Sequence, residues 1–309
     1  MRILHIDENH SELPEGLHAL GLENDFDYTA SKEDVMKKIH HYQGLVLRSR
    51  FPIDAVFIDA ATDLRFIARV GSGLENIDTT YAESKDIHII SAPEGNSNAV
   101  AEHAMGMILT LFNKLIEVSH ELKKGIWKRE PNRGEELEGK TVGLIGYGNT
   151  GKALARKLKG FDVKVLCYDI QPNVGDTFAK QVSLNTLQKE ADIISLHVPE
   201  TPLTTPIIND AFINAVAKPF WLINTARGKN VVTKDLIDGL KKNKVKGACL
   251  DVLEYEKSSF EQAELNQDEL TYLLSSEKVI LSPHIAGWSH QSKIKLAKTI
   301  VEKVKKIFF

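Results

Sequence analysis

Near the middle of the chain stands the stretch Thr141-Val142-Gly143-Leu144-Ile145-Gly146-Tyr147-Gly148-Asn149-Thr150-Gly151. It is an apolar run that enters three glycines with the spacing Gly-x-Gly-x-x-Gly. A second apolar run follows and ends in an acid, Val163-Lys164-Val165-Leu166-Cys167-Tyr168-Asp169. Strand, glycine turn, helix, strand and acid in this order are typical of the βαβ unit that binds a dinucleotide.

Each glycine of this pattern has a separate physical task. Gly146 allows the tight turn, Gly148 has no side chain and lets a pyrophosphate approach the backbone, and Gly151 lets the helix pack close to the sheet. The phosphates would meet the helix N-terminus, where free N–H groups favour negative charge. Asp169 can accept hydrogen bonds from both ribose hydroxyls and would repel a 2′-phosphate, which favours NAD over NADP.

Further strands and helices alternate on both sides of this unit. Strands are predicted before it at 1–6, 44–47, 64–70 and 87–90, and after it at 191–199, 220–228, 246–252 and 279–284. We also predict a long helix at 98–119, surface segments at 123–139 and 258–268, and an amphipathic helix from Ser289 that packs on the first domain. The alternation indicates an α/β fold with two doubly wound parallel-sheet domains. These are a flavodoxin-like domain for the substrate (1–98 plus 285–309) and a Rossmann NAD-binding domain (99–284).

The composition of the 309 residues is that of an ordinary globular protein, with 42% hydrophobic and 26% charged residues. The length favours two domains. A formal net charge of −3 requires no basic face, so nucleic acid is not an expected partner. We find no signal peptide and no apolar run of about 18 residues, so we expect no membrane partner and a cytoplasmic protein. Cys167 and Cys249 lie in apolar runs and are expected to be buried reduced thiols, with no metal bound.

Polar or charged residues stand at or just beyond the ends of the later strands. They are Asp169, His197, Arg227, Asp251, Glu256 and His284. In an open parallel sheet, ligands bind at the carboxyl ends of the strands. We therefore expect a reactive site at this edge of the second sheet.

Four blocks of sequence together resemble the D-isomer-specific 2-hydroxyacid dehydrogenase family, and within it the phosphoglycerate dehydrogenases. The blocks are 69–78 with 96–102, the glycine stretch 141–151, 196–199 with 224–228, and 251–256 with 282–287. The resemblance covers almost the whole chain. It implies a cytoplasmic enzyme that uses NAD, acts on a small molecule and forms a homodimer.

The resemblance assigns three catalytic residues. Arg227 lies in an Asn-x-x-Arg-Gly block, Glu256 lies five residues after the aspartate of an Asp-Val pair, and His284 lies in a Ser-Pro-His block. The chain departs from the family pattern at Lys257, where proline is usual, and the stretch between the acid and the histidine is longer than is common. Glu254 is a neighbouring alternative for the acid.

These residue types suit the oxidation of a 2-hydroxy acid. A base must take the hydroxyl proton, and histidine is the usual base because imidazole titrates near neutral pH. A carboxylate such as Glu256 orients the imidazole of His284 and favours its protonated form. The guanidinium of Arg227 can hold a substrate carboxylate with two parallel hydrogen bonds. Each residue also has a plainer interpretation: a structural histidine, a surface ion pair and a solvated loop residue. The nine histidines besides His197 and His284 are expected to be structural or solvated.

The resemblance also implies the remaining contacts of both ligands. The substrate carboxylate is expected on the backbone amides of Ser72-Gly73 as well as on Arg227, and a substrate phosphate on Arg48. Arg48 could instead be an ordinary surface charge, as could Arg50. Cofactor contacts beyond the three glycines and Asp169 are expected at Asn149, Thr150, His197, Val198, Pro199, Thr225, Ala226, Asp251, Ala286 and Gly287. The pair Asn149-Thr150 replaces the basic or polar residue and isoleucine that many members have.

The expected reaction is the NAD-dependent interconversion of a D-2-hydroxy acid and its 2-oxo acid. The first candidate substrate is 3-phospho-D-glycerate, the precursor in serine biosynthesis. One alternative is a glyoxylate or hydroxypyruvate reductase on the same scaffold, and another is a non-catalytic NAD-sensing protein. A formate dehydrogenase is disfavoured because that branch lacks the glutamate partner of the histidine. A methyltransferase has no use for the later arginine, glutamate and histidine.

Overall fold

The structure is a computed structural model that describes residues 1–256 and 267–309. The surface segment predicted at 258–268 lies, except for its last two residues, outside the described residues. The chain forms two compact units. The first unit contains residues 1–97 and 288–309, and the second contains residues 98–256 and 267–287.

Strands and helices alternate along the described part of the chain. The strands are β1 (Arg2–His5), β2 (Glu23–Phe26), β3 (Gly44–Leu47), β4 (Phe66–Arg69), β5 (His88–Ser91), β6 (Thr141–Ile145), β7 (Lys164–Tyr168), β8 (Lys180–Gln181), β9 (Ile193–Leu196), β10 (Phe220–Asn224), β11 (Val245–Leu250) and β12 (Val279–Leu281). The helices are α1 (Glu12–Ala19), α2 (Lys32–Met36), α3 (Ala55–Ala60), α4 (Thr79–Ser84), α5 (Pro93–Phe112), α6 (Leu115–Lys123), α7 (Asn149–Leu158), α8 (Leu184–Glu190), α9 (Asp210–Ala215), α10 (Thr233–Lys241), α11 (Gln267–Ser275) and α12 (His290–Phe308). Among the helices in these ranges, none has the length and apolar character needed to span a bilayer.

The first unit is built on a five-stranded sheet whose strands are all parallel, in the order β2-β1-β3-β4-β5. This is the flavodoxin-like order, with its switch point between β1 and β3. The whole of β3 is buried, as expected for a parallel sheet with helices on both faces. On one face, Ala297, Ile300 and Val304 of α12 share an apolar core with Leu13 and Leu17 of α1.

The second unit is built on a seven-stranded parallel sheet in the order β12-β11-β10-β9-β6-β7-β8. Counted from β6, this is the Rossmann order with its switch point between β6 and β9. Two apolar cores cover the two faces, one with Leu154 of α7 and the other with Leu236 of α10. Both cysteines are buried as predicted, and burial raises the pKa of the Cys167 thiol to about 11. The predicted fold class is confirmed for both sheets.

The helix predicted over 98–119 is in fact two helices. Helix α5 ends at Phe112, α6 begins at Leu115, and Lys114 between them has a φ of 51°. O of Leu109 accepts from both the backbone N–H and the side-chain amide of Asn113, at 3.1 and 3.0 Å, which is a local side-chain bond typical of a helix end. Apolar residues keep their helical spacing across this break, so the periodicity predicts one helix.

The two units divide the chain slightly differently from the predicted domains. Asn98 belongs to the second unit, where its Oδ1 accepts from Nζ of Lys157 at 2.9 Å. Residues 285–287 also belong to the second unit. The reason is local, because the backbone N–H groups of Ile285 and Ala286 donate to the carboxylate of Asp251.

Candidate active site

The glycine turn after β6 has the geometry that its sequence pattern requires. Gly146 has a φ of +91°, and a Cβ there would lie 2.5 Å from O of His197. A Cβ at Gly151 would lie 2.4 Å from O of Gly146, so α7 can pack this closely only with glycine. At Gly148, no described atom would come within 4 Å of a Cβ. The turn is closed on the protein side and open where a pyrophosphate would meet the N-terminus of α7.

His197, at the end of β9, fastens this turn. Its Nδ1 lies 3.2 Å from Oγ1 of Thr150, and its Nε2 lies 2.9 Å from Oγ of Ser195. The residue keeps some exposed surface, but enclosure of its ring lowers the pKa of His197 to about 4. The imidazole is therefore neutral near pH 7. Val198 follows it and would lie 3.0 Å from a Cβ at Gly146, so three of the predicted cofactor residues lie together here.

Asp169 follows β7 beside the same turn. Its Oδ2 accepts from the backbone N–H of Tyr147 at 2.7 Å, and its Oδ1 accepts from the backbone N–H of Gln171 at 2.9 Å. One donor on each oxygen fixes the carboxylate and leaves acceptor capacity for hydroxyl donors. The residues of this edge thus fit a dinucleotide with two ribose hydroxyls.

The other predicted cofactor residues lie along the same edge of the second sheet. They are Asn149 at the start of α7, Pro199 after β9, Thr225 and Ala226 after β10, Asp251 after β11, and Ala286 and Gly287 after β12. The Oγ1 atom of Thr225 is buried and has no hydrogen-bond partner within the described ranges. Because buried polar atoms are normally paired, this hydroxyl fits the wall of a ligand site.

Arg227 follows β10 in a turn that a buried amide shapes. The side chain of Asn224 is fully buried, its Oδ1 accepts from the N–H of Ala226 at 3.1 Å, and its Nδ2 donates to O of Arg227 at 2.9 Å. Nη1 of Arg227 donates to O of Ala226 at 2.7 Å. Asn224 is not among the predicted site residues, although it is the first residue of the Asn-x-x-Arg block.

Glu256 and His284 form a hydrogen-bonded pair. Oε2 of Glu256 lies 2.7 Å from Nδ1 of His284, and its Oε1 accepts from the N–H of Leu253 at 2.7 Å. The two side chains are only 17% and 23% exposed. A carboxylate at Nδ1 fixes the orientation and the tautomer of the imidazole.

The neighbouring Glu254 has a different contact. Its Oε2 accepts from the backbone N–H of Thr233 at 2.8 Å, at the first residue of α10. The backbone of this segment also packs against the turn of Arg227, because a Cβ at Gly228 would lie 1.8 Å from O of Leu253. The structure therefore places Glu256, not Glu254, beside the histidine.

The backbone of His284 is in the left-handed region, with a φ of 55°. A residue with a Cβ pays roughly 1–2 kcal/mol for this conformation. Asp251 offsets the cost: its O accepts from the N–H of His284 at 2.7 Å, and its carboxylate accepts from the N–H groups of Ile285 and Ala286 at 2.9 and 2.8 Å. The predicted contact of Asp251 with the nicotinamide stays a prediction, and the observed contacts show that it holds the loop of His284.

Arg48, in the first unit, follows β3 at the switch point of the first sheet. Its backbone N–H donates to Oδ2 of Asp7, which lies beyond the end of β1, at 2.6 Å. Its guanidinium carbon lies 4.6 Å from the ring centre of Trp288. Within the described ranges, no side-chain or backbone oxygen accepts a hydrogen bond from this guanidinium. Trp288 is not among the predicted site residues, because it is far from Arg48 in sequence and no local pattern links the two.

Arg50 differs from Arg48 although only one residue separates them. Its guanidinium donates to three backbone carbonyls of the same unit, those of Ile6, Asp27 and Ala30. Those bonds tie the loops after β1 and β2 to the loop after β3. Arg50 is therefore a structural residue, not the surface charge that the plainer interpretation expects.

Ser72 and Gly73 follow β4, which pairs with β3 through Leu47 and Arg69. Oγ of Ser72 donates to Oδ1 of Asn96 at 2.7 Å. Ser72-Gly73 and Arg48 thus lie at the carboxyl edge of neighbouring parallel strands of the first sheet, where ligands of such sheets bind.

Comparisons with known proteins agree with this geometry. The family model for the NAD-binding domain of D-isomer specific 2-hydroxyacid dehydrogenases matches residues 105–286. The chain is 37% identical to the hydroxypyruvate reductase of Thermotoga maritima over 274 residues, which cover 88% of this chain and 87% of that protein. It is 31% identical to the D-3-phosphoglycerate dehydrogenase of Archaeoglobus fulgidus over 309 residues, which cover 98% of this chain and 56% of that protein.

A solved structure gives the same result for the fold. The structure of D-lactate dehydrogenase with NAD⁺ from Lactobacillus jensenii superposes with a TM-score of 0.79, at 26% identity, over 98% of this chain and 95% of that one. The family model covers more than half of the chain, and it covers the glycine turn, Asp169 and all three residues of the Arg, Glu and His set. The chain belongs to the D-isomer specific 2-hydroxyacid dehydrogenase family and is an NAD-dependent oxidoreductase.

Proposed function

We propose that His284 exchanges the proton of the substrate hydroxyl and that Glu256 orients it. The observation that carries this proposal is the 2.7 Å contact between Oε2 of Glu256 and Nδ1 of His284. In oxidation, Nε2 would take the hydroxyl proton as the C2–H bond breaks. In reduction, the imidazolium would return that proton to the carbonyl oxygen, and Glu256 would stabilise its charge.

Arg227 is the proposed ligand of the substrate carboxylate, because its planar guanidinium can bind both carboxylate oxygens. The glycine turn, Asp169, His197 and Thr225 would hold NAD, which supplies the hydride acceptor or donor for C2 when bound. The backbone amides of Ser72-Gly73 are proposed to bind the substrate carboxylate as well.

The proposed substrate pair is 3-phospho-D-glycerate and 3-phosphohydroxypyruvate, with a role in serine biosynthesis. Arg48 supports this choice, since its half-buried guanidinium stacks on Trp288 and has no protein acceptor in the described part of the chain. A guanidinium has five N–H donors, and donors without a protein acceptor suit an anion with several acceptor oxygens. A phosphate monoester offers three such oxygens and close to two negative charges near neutral pH.

A second candidate is the reduction of hydroxypyruvate or glyoxylate. The observation in its favour is the match to the hydroxypyruvate reductase of Thermotoga maritima, which runs over most of both chains, whereas the phosphoglycerate dehydrogenase match covers 56% of that protein. In this case Arg48 would bind an anionic or polar group of the substrate other than a phosphate.

A substrate panel decides between these candidates. NADH oxidation is followed with 3-phosphohydroxypyruvate, hydroxypyruvate, glyoxylate and pyruvate, and each assay is repeated with NADPH. We expect the largest kcat/KM for 3-phosphohydroxypyruvate with NADH. A preference for hydroxypyruvate or glyoxylate would replace the phosphoglycerate proposal with the reductase. If no 2-oxo acid reacted, a non-catalytic NAD-sensing protein would be the better description.

We also propose that the protein is a homodimer. Apolar side chains are exposed on α6 and just after it, among them Leu115 at 55%, Leu122 at 47% and Trp127 at 80%. Exposed apolar clusters of this kind commonly mark protein interfaces. Sedimentation equilibrium of the wild type and of Trp127→Ala with Leu122→Ala tests the proposal, which predicts a dimer weakened by the substitutions.

A further inference from the structure

We infer that His103 is a positioning residue: through Ser282 and Asp251 it holds the loop that carries His284. The inference rests on the proposed role of His284 in proton transfer. His103 lies on α5 in the second unit, and it is one of the nine histidines expected to be structural or solvated. Its contacts give it a more specific task.

A chain of short contacts leads from His103 to the buried carboxylate. Nε2 of His103 lies 2.8 Å from Oγ of Ser282, and Oγ of Ser282 lies 2.6 Å from Oδ1 of Asp251. Asp251 is 1% exposed, and its carboxylate can only accept. The hydroxyl hydrogen of Ser282 therefore points to Asp251. Oγ must then accept from His103, so Nε2 of His103 carries a hydrogen.

This order fixes a hydroxyl that could otherwise rotate. Besides Asp251, Sδ of Met107 lies 3.9 Å from Oγ of Ser282, and a thioether sulfur is a weak acceptor. With His103 donating, the Ser282 hydrogen is committed to Oδ1 of Asp251. The donor on His103 thus reinforces the direction that the carboxylate of Asp251 imposes on this chain of hydrogen bonds.

The carboxylate at the end of this chain is the one that holds the catalytic loop. Oδ1 of Asp251 also accepts from the N–H of Ile285, and Oδ2 accepts from the N–H of Ala286. Those two residues follow His284, whose φ of 55° requires support from its surroundings. If the carboxylate of Asp251 rotated, its oxygens would no longer accept from the N–H groups of Ile285 and Ala286. The imidazole of His284 would then lose its fixed orientation.

Four variants test the inference. His103→Phe keeps a ring but removes the donor, and His103→Gln keeps an N–H near the position of Nε2. Ser282→Ala removes the link, and the double variant combines His103→Phe with Ser282→Ala. The matched control is His18→Phe, since His18 is an exposed histidine on α1, outside the helix proposed for the dimer interface.

The first measurement needs neither substrate nor cofactor. Amide hydrogen exchange should become about 10-fold faster at Ile285 and Ala286 in His103→Phe and in Ser282→Ala, because their acceptor is less well held. Exchange in the buried strand β10 should not change, which separates a local loss from general destabilisation. His103→Gln and His18→Phe should exchange like the wild type.

The second measurement is kinetic. In both single variants kcat should fall at least about 10-fold, since small displacements of a reacting group are costly. The dissociation constant of NADH, from fluorescence titration, should stay within about twofold of the wild type, because the glycine turn is untouched. Nε2 of His103 also lies 3.6 Å from Oδ1 of Asp251, but its contact with Oγ of Ser282 at 2.8 Å is the shorter one. The losses in kcat should therefore be strongly non-additive, with the double variant close to the slower single variant.

The outcomes separate this inference from the proposed function. Unchanged exchange at Ile285 and Ala286 in an active enzyme, or additive losses in the double variant, would overturn the role of His103 alone. A wild type that reduces no 2-oxo acid would instead overturn the proposed function. Faster exchange together with non-additive losses in kcat, restored by His103→Gln, supports the inference.

Discussion

Oε2 of Glu256 lies 2.7 Å from Nδ1 of His284, while the other oxygen of the same carboxylate accepts from the backbone N–H of Leu253. The carboxylate is thus held from two sides and cannot turn away from the ring without losing a bond. A histidine fixed in this way has one orientation in space for the exchange of a proton. Such a fixed acid or base suits the interconversion of a hydroxyl and a carbonyl.

His284→Ala removes the group that is proposed to exchange the proton. We expect kcat to fall by at least ~10²-fold, which is the usual contribution of general acid–base catalysis. Binding of NADH should survive, as measured by fluorescence titration. An unchanged kcat would mean that His284 is structural and that another group transfers the proton.

Glu256→Gln should move the pH profile of reduction toward lower pH. The carboxylate favours the protonated imidazole that reduction needs, and the amide does not. The measurement is kcat/KM for the 2-oxo acid as a function of pH. Glu254→Gln is the matched control, because its amide oxygen can still accept from Thr233. If only the control variant shifted, the assignment of the acid would be reversed.

Asp169→Ala should relax the preference for NADH over NADPH. Its carboxylate would repel a 2′-phosphate, and the substitution removes that charge. The ratio of the two kcat/KM values should therefore fall in the variant, mainly through a lower KM for NADPH. A wild-type enzyme that already prefers NADPH would contradict the role given to Asp169.

Arg48→Ala should cost about 1.5–3 kcal/mol in transition-state binding, or about 10- to 150-fold in kcat/KM, with the phosphorylated substrate. The loss should be nearly absent with unphosphorylated hydroxypyruvate. Because general damage to the fold would affect both substrates equally, the difference between them reports the contact with the phosphate. Equal losses with both substrates would indicate that Arg48, like Arg50, has a structural task.

The pKa of His197, lowered to about 4 by burial, predicts a dependence of stability on pH. An unfolded histidine titrates near pH 6.5, so between these values the unfolded state binds more protons than the folded state. Stability should therefore fall as the pH drops from about 6.5 to about 4, by on the order of 1–3 kcal/mol. The measurement is the free energy of unfolding by denaturant, as a function of pH, for the wild type and for His197→Gln. The same dependence on pH in both proteins would argue against a lowered pKa of His197.

The parts of the fold that the sequence predicts well are those whose pattern lies in one short, continuous stretch of residues. The glycine turn has a fixed spacing, and the buried strands β3, β6 and β10 are apolar runs with clear ends. The alternation of such strands with helices predicts the parallel sheets. Strand β2 is not predicted, because Glu23–Phe26 has no apolar alternation. It lies at the edge of its sheet, where hydrogen bonds to β1 place a polar segment in a strand.

The same distinction applies to the candidate site. Arg227, Glu256 and His284 stand in recognisable local blocks, so their neighbours in sequence identify them. His103 and Ser282 are separated by 179 positions, and no sequence pattern near either residue predicts a contact with the other. Contacts of this kind depend on how helices lie against the sheet, which propensity and periodicity do not specify.

Helix α12 has a consequence for how the chain is made. The first unit shares its core with Ala297, Ile300 and Val304, but the whole of the second unit is translated before them. At about 5–20 residues per second, the 190 residues from 98 to 287 take about 10–40 s to synthesise. During that time Leu13 and Leu17 have no partner from α12, while the second unit can already fold. The first unit is thus completed on the ribosome only after the second, and the apolar face of α1 stays uncovered by α12 until then.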